Sequence, residues 1–211
     1  MTKRNLEKEI FDTSSNAVLV NKTHSLGANY VPEDLVAVDV PTTPPDKPEV
    51  KELKKEAADK LKELFKEAEK NGFKLYALSG YRSYDRQVNI FNNNAKKNGE
   101  EAANKYSARP GQSEHQTGLV MDITSEGVDY TLTGDFGETP EGTWVADNGH
   151  KYGFIVRYPR GKEPITGYIY EPWHLRYMGQ ELATQVYNSG LTYEEYLREL
   201  GIDIDQTIEL E

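Results

Sequence analysis

The residues of this sequence best suited to chemistry fall in two short blocks. Ser113-Glu114-His115-Gln116-Thr117-Gly118-Leu119-Val120-Met121-Asp122 is followed, about fifty residues later, by Glu171-Pro172-Trp173-His174. Two imidazoles and one carboxylate fill three positions of a tetrahedral zinc site and leave the fourth open to water. Glu171 supplies a candidate base beside the last ligand. A His-x6-Asp pair alone arises by chance in most proteins. The reading gains weight from the second histidine with its nearby glutamate, and from Arg82 in a loop that follows another strand-like segment.

Composition narrows the chemistry further. The 211 residues contain no cysteine, which excludes disulfides, thiolate metal sites and a cysteine nucleophile, so a metal must be held by His, Asp or Glu. A formal net charge of -10 argues against nucleic acid as a partner. Lys51, Lys54 and Lys55 cluster, but Glu52 and Glu56 interleave them, as on a solvated helix face. No apolar run approaches the roughly 18 residues of a membrane span. Met1-Thr2-Lys3-Arg4 is not followed by the apolar core of a signal peptide, so the expectation is a cytosolic chain or one whose leader has been removed.

The elements that must position these groups are read from periodicity. Ala17-Val18-Leu19-Val20 suits a strand, and the prolines at 32, 41, 44, 45 and 48 predict an extended arm without regular structure over 21–48. Leu53, Ala57, Leu61, Leu64, Phe65 and Ala68 predict a helix from Glu49 to Asn71, ended by Gly72. Phe73 to Leu78 alternates as a strand and delivers Ser79-Gly80-Tyr81-Arg82-Ser83 at its end. Helices are expected over 84–97, 100–106, 140–152, 179–188 and 192–200, the last opened by a capping box. Strands are expected over 119–124, 154–158 and 168–177. In the first of these, Val120, Asp122 and Thr124 share the face opposite Leu119, Met121 and Ile123. Helices mixed with hairpin-like strands indicate an α+β fold around a central antiparallel sheet.

One geometric difficulty is visible at this level. Glu171 and His174 are three apart, and on a regular strand they would face opposite ways. Pro172 cannot donate to a sheet and favours a bend that lets both side chains converge. The competing reading makes Trp173 and Leu175 core residues, with His174 a buried imidazole.

Taken together, Ser79-Gly80-Tyr81-Arg82-Ser83, Arg109 to Gly118, Asp122 and Glu171-Pro172-Trp173-His174-Leu175-Arg176-Tyr177 resemble the VanY-type D-alanyl-D-alanine carboxypeptidases and the similar LD-carboxypeptidases of bacteria. The resemblance runs over roughly residues 15–190. It implies a single zinc-peptidase domain of the hedgehog/D-Ala-D-Ala peptidase-like α+β class over 49–200, preceded by the arm of 1–48 and followed by an acidic tail of 201–211. It further implies that His115, Asp122 and His174 bind one zinc ion per chain and that Glu171 is the general base.

A carboxypeptidase must also recognise a free carboxylate, for which the planar guanidinium of Arg82 is suited. Ser113 and Gln87 are expected to complete that pocket, Tyr81 and Trp173 to shape it, and Glu114 to support the ligands. The aromatic residues Tyr152, Phe154, Tyr158, Tyr168, Tyr170 and Tyr177 are expected mainly in strand packing. The substrates implied are peptidoglycan stem peptides or precursors ending in D-alanine, met by a monomer in the cell envelope, outside the cell or in the cytoplasm. Tetrapeptide and pentapeptide substrates stay open, as do D-Ala-D-Ala dipeptidase and endopeptidase activities and a non-catalytic wall-binding role.

Overall fold

The computed structural model describes residues 2–43 and 51–210. Its strands are β1 (His24–Leu26), β2 (Leu35–Ala37), β3 (Glu52–Lys54), β4 (Tyr76–Ser79), β5 (Val120–Thr124), β6 (Phe154–Tyr158), β7 (Glu171–Tyr177) and β8 (Ile208–Leu210). Its α-helices are α1 (Lys3–Glu9), α2 (Lys55–Lys70), α3 (Tyr84–Asn98), α4 (Glu100–Ala103), α5 (Pro140–Asn148), α6 (Glu163–Thr166), α7 (Gln180–Ser189) and α8 (Tyr193–Glu199). The central sheet has the order β4-β5-β7-β6 with every neighbouring pair antiparallel, which gives the α+β class expected.

Alternation sorts the sheet's two faces. Met121, Ile123, Leu175 and Tyr177 join the buried stripe of α2 and Val145 of α5 in one core. Ile155, on the opposite face, joins Leu6 of α1, Ile10 just after it, Leu182 and Val186 of α7 and Leu197 of α8 in a second core. Asp122, His174, Arg176 and Arg157 share this second face, because Asp122 lies opposite His174 and Ile155 opposite Arg176 in the ladder. The polar machinery therefore occupies the face that the terminal segments cover.

Several elements depart from the sequence reading, each for a tertiary reason. The helix expected from Glu49 begins only at Lys55, since residues 52–54 pair as β3 with β2 and bury Leu53. Glu49 itself, with Pro44, Pro45 and Pro48, lies outside the described residues. Residues 17–20 are fully buried but form no strand. Side chains satisfy their carbonyls instead: Arg176 donates to Val18, and Tyr193 to Ala17. The arm, expected to lack regular structure, contributes β1 and β2. The helix expected over 100–106 stops at Ala103, and the strand expected from Tyr168 starts at Glu171. In the segment after residue 200, Ile202 and Ile204 enter the second core and β8 pairs in parallel with β1.

Gly80 ties this scaffold to the site. A Cβ there would collide with the Glu52 carbonyl and stand 2.9 Å from Met121 Cε, so only glycine lets β3 run this close to the end of β4. Urea denaturation of Gly80→Ala is expected to show a loss of about 1–3 kcal/mol. Gly27→Ala, whose Cβ would meet its nearest neighbour at 3.8 Å, serves as the mild control. Equal effects of the two changes would refute the packing argument.

Candidate active site

Three donor side chains converge at the middle of the sheet. Asp122 and His174 are direct cross-strand partners on β5 and β7, and His115 arrives from the 3-10 turn Glu114–Thr117 that leads into β5. His115 Nε2 stands 3.3 Å from Asp122 Oδ2, and His174 Nδ1 stands 3.3 Å from Asp122 Oδ1. One donor atom from each of the three lies within 4.8 Å of the others. Glu171 Oε2 is 3.7 Å from His174 Nδ1.

A slip in the ladder resolves the difficulty of Glu171 facing His174. Val156 pairs with Leu175 but Tyr158 pairs with Glu171, so β7 holds extra residues between Glu171 and Leu175. The stretch containing Pro172 thus leaves the regular pleat, as a bulge does when it re-aims a side chain. A similar slip between Ala77 and Ser79 in β4 brings Ser79 opposite Asp122 and aims the following loop, with Arg82, at the same place.

Hydrogen bonds fix which nitrogen each imidazole presents. His115 Nδ1 lies 2.8 Å from the Gly80 carbonyl, to which it must donate, leaving the Nε2 lone pair toward Asp122. His174 is reversed: Nε2 lies 3.3 Å from Glu114 Oε2, and Nδ1 faces the cluster. Glu114 is fully buried, yet its other oxygen accepts from Arg157 at 2.9 Å and Arg176 at 2.7 Å. Burial raises the Glu114 pKa, but the two guanidiniums outweigh it and hold the group well below the usual carboxylate range. It is therefore an anion able to accept the imidazole N–H.

The donor set fits zinc. Asp122 Oδ1 is buried and, among the described residues, has only the ion-pair contact of His174 Nδ1 at 3.3 Å and no well-formed hydrogen bond, an unusual state for a carboxylate oxygen unless a cation satisfies it. Burial and then the Arg82 charge depress His115, keeping it the neutral ligand a metal requires. Burial opposes a charge on His174 too, but bonds to Asp122 and Glu114 prevail and lift its pKa to about 9. The cluster draws positive charge toward its centre. Two imidazoles and a carboxylate are a donor set that a three-ligand catalytic zinc site can use.

These groups line one cleft of about 210 Å³ together with Arg82, Ser107, Ser113, Tyr158, Tyr168 and Trp173. Arg82 is braced inside it, donating to Gln87 Oε1 at 2.9 Å and Ser79 Oγ at 3.2 Å. Gln87, expected in the pocket, does not line it. Its amide donates to the Ala108 carbonyl at 2.6 Å, so it holds Arg82 in place from behind. Tyr81 also lies outside the lining; its backbone N–H bonds to the Glu52 carbonyl. Tyr158 and Tyr168, expected mainly as strand packing, form part of the wall.

Sequence reasoning missed Arg157, Arg176, Glu194 and Ser107. An arginine inside an apolar strand run, as in Phe154-Ile155-Val156-Arg157-Tyr158, was the available signal, since a buried guanidinium demands buried anions. The Ser107 hydroxyl is buried on the cleft and has no hydrogen-bond partner among the described residues, a fact with no sequence signature.

Residues 50–180 match the family of VanY D-alanyl-D-alanine carboxypeptidases. The YodJ protein of Bacillus subtilis (strain 168) is 51% identical over 182 residues, covering 86% of this chain and 67% of YodJ. The chain spans about half the length of the enterococcal D-alanyl-D-alanine carboxypeptidases that it also matches. Among solved structures, the LdcB LD-carboxypeptidase superposes with a TM-score of 0.85 at 50% identity, covering 89% of this chain and 87% of that one. A VanY D,D-pentapeptidase in complex with Zn(II) superposes at 0.67 with 32% identity, covering 85% and 97%.

Burial first, then the charges of Asp122 and Glu114, push Glu171 up to about 7 against the pull of His174 and Arg82. Its ionisation therefore opposes folding of the metal-free protein: the penalty is absent below the ordinary value of 4.5, grows as pH rises, and is complete above about 7. Urea denaturation in chelator is expected to find Glu171→Gln more stable than wild type by about 2–3 kcal/mol near pH 8, and equal to it near pH 4. A gain that ignores pH would contradict this assignment.

Proposed function

The chain belongs to the VanY family of D-alanyl-D-alanine carboxypeptidases, and from that premise we propose that it is a zinc carboxypeptidase removing the C-terminal D-alanine from peptidoglycan stem peptides. The observation that carries this reading is a single cleft lined by a His-Asp-His cluster, a buried glutamate beside it and a half-buried arginine. A metal site that served structure alone would need neither the glutamate nor the arginine.

His115, Asp122 and His174 hold the zinc, which when bound supplies Lewis acidity and brings the pKa of water toward about 7. Glu171 takes the proton from the attacking water through its carboxylate and returns it to the leaving amine of D-alanine. Burial raises its pKa to about 7 in the metal-free protein, and the charge of a bound zinc would draw it down and keep the carboxylate ionised to accept the proton. Arg82 binds the terminal carboxylate with the guanidinium donors that Gln87 and Ser79 leave unused. Ser113 and the unpartnered Ser107 hydroxyl offer further hydrogen bonds along the cleft, and Trp173 and Tyr168 bound the space for the methyl group.

Of the two substrate classes, the tetrapeptide ending in a diamino acid joined to D-alanine is favoured. Its support is the higher similarity to the LdcB LD-carboxypeptidase than to the VanY D,D-pentapeptidase. A wall substrate also favours action in the cell envelope. Among the described residues, no helix is long and apolar enough to cross a membrane. Every residue proposed for the site comes from one chain.

Mass spectrometry of zinc-loaded protein with tetrapeptide and pentapeptide is expected to detect free D-alanine, released faster from the tetrapeptide. Glu171→Ala should lower the rate by about 10²-fold or more with zinc still stoichiometric. Arg82→Ala should cost on the order of 2 kcal/mol on the free acid and nothing further on a C-terminal amide. No D-alanine from either peptide would end the carboxypeptidase reading; dipeptides or larger fragments would replace it with a dipeptidase or an endopeptidase.

A further inference from the structure

The match to the family ends at residue 180, yet the hydrogen bonds that orient His174 continue beyond it. His174 Nε2 meets Glu114 Oε2 at 3.3 Å, and Glu114 Oε1 accepts from Arg157 Nε at 2.9 Å. Arg157 then closes a two-pronged pair on Glu194 of α8, with Nη1 to Oε2 at 2.8 Å and Nη2 to Oε1 at 2.5 Å. Arg176 completes the group by donating to Glu114 Oε1 at 2.7 Å and to the Val18 carbonyl at 2.6 Å. Asn21 donates to Glu194 Oε1 at 3.3 Å from the N-terminal segment. All four charged side chains are 2% exposed or less.

We propose that Glu194, outside the family-matched span and about 20 residues from His174 in sequence, is a positioning residue for the zinc site, acting on His174 through Arg157 and Glu114. The inference rests on the zinc reading above and deepens it. Two glutamates balance two arginines, so the group is neutral as a whole. Removing the Glu194 charge leaves two guanidiniums to share Glu114 in a medium that screens poorly. Glu114 is then drawn toward Arg157 and Arg176, its bond to the His174 N–H weakens, and the ring loses the constraint that aims Nδ1 at Asp122. Neither Glu194 nor Arg157 is among the residues lining the cleft, and the hydrogen-bonded route from them to a ligand runs through Glu114 to His174.

The rival explanation is that Glu194 merely stabilises α8. Leu197 lies on the same helix, fully buried in the second core and outside the bond network, so Leu197→Ala is a matched control that weakens α8 packing alone. Zinc affinity of the full chain is measured by competition with a chromophoric chelator, alongside urea stability. Glu194→Gln is expected to raise the zinc Kd by about tenfold or more, with Leu197→Ala staying within about twofold of wild type. Should Glu194→Gln not fold, Glu194→Asp, which keeps the charge but shortens its reach to Arg157, should raise the Kd by about threefold or more. An unchanged Kd in the folded glutamate variant, or an equal rise in Leu197→Ala, overturns the proposal. Wild type in the same titration separates this from the broader reading: if it binds no zinc, the functional assignment fails first.

Discussion

Glu114 is a fully buried anion that accepts hydrogen bonds from two arginines and a histidine, and the geometry of the cleft depends on it staying ionised. A carboxylate in such surroundings would ordinarily take up a proton, because burial costs a charge several kcal/mol or more. Arg157 and Arg176 reverse that balance. The consequence reaches His174 directly: Glu114 holds one proton on Nε2, so a metal at the cluster would displace the other from Nδ1, the nitrogen that faces it. Gly80 does the equivalent for His115 with a carbonyl. The two imidazoles thus present opposite ring nitrogens to one point, each fixed from behind.

The same charges explain features of the fold that hydrophobic patterning does not. Arginines buried in a sheet must find acceptors for every N–H, and Arg176 finds them in the carbonyls of Asn16, Val18 and Tyr177 as well as in Glu114. Residues 17–20 are buried through these bonds and not through a ladder. The N-terminal segment and α8 are consequently part of the support of the cleft. β1 and β8 bind the two ends of the chain to each other, and Leu26 bonds to the Gly111 carbonyl in the loop that carries Ser113 and His115.

Much of the site was legible in the sequence because its chemistry is carried by rare residue types in short blocks. His115, Asp122, His174, Glu171 and Arg82 meet in one cleft, and the helix stripe of α2 and the capping box of α8 follow local rules. The convergence of Glu171 with His174 was expected from Pro172; the ladder slip that achieves it needed the register of β6 against β7. The apolar run around Arg157 could flag a buried arginine, but pattern alone could not find its partners, since Glu114 and Glu194 are 80 residues apart and meet only through tertiary folding. Residues 52–54 illustrate the converse. Their local preference is helical, yet pairing with β2 and a bond from Lys54 to the Gly118 carbonyl hold them as a strand.

The most direct test of the account is a crystal structure of the zinc-loaded protein, with the histidine ring orientations checked by nitrogen NMR. The account predicts zinc at about 2.0–2.2 Å from His115 Nε2, Asp122 and His174 Nδ1, with the His174 Nε2 proton retained on its bond to Glu114. Zinc bound through His174 Nε2, or a site that leaves out any of the three side chains, would contradict it.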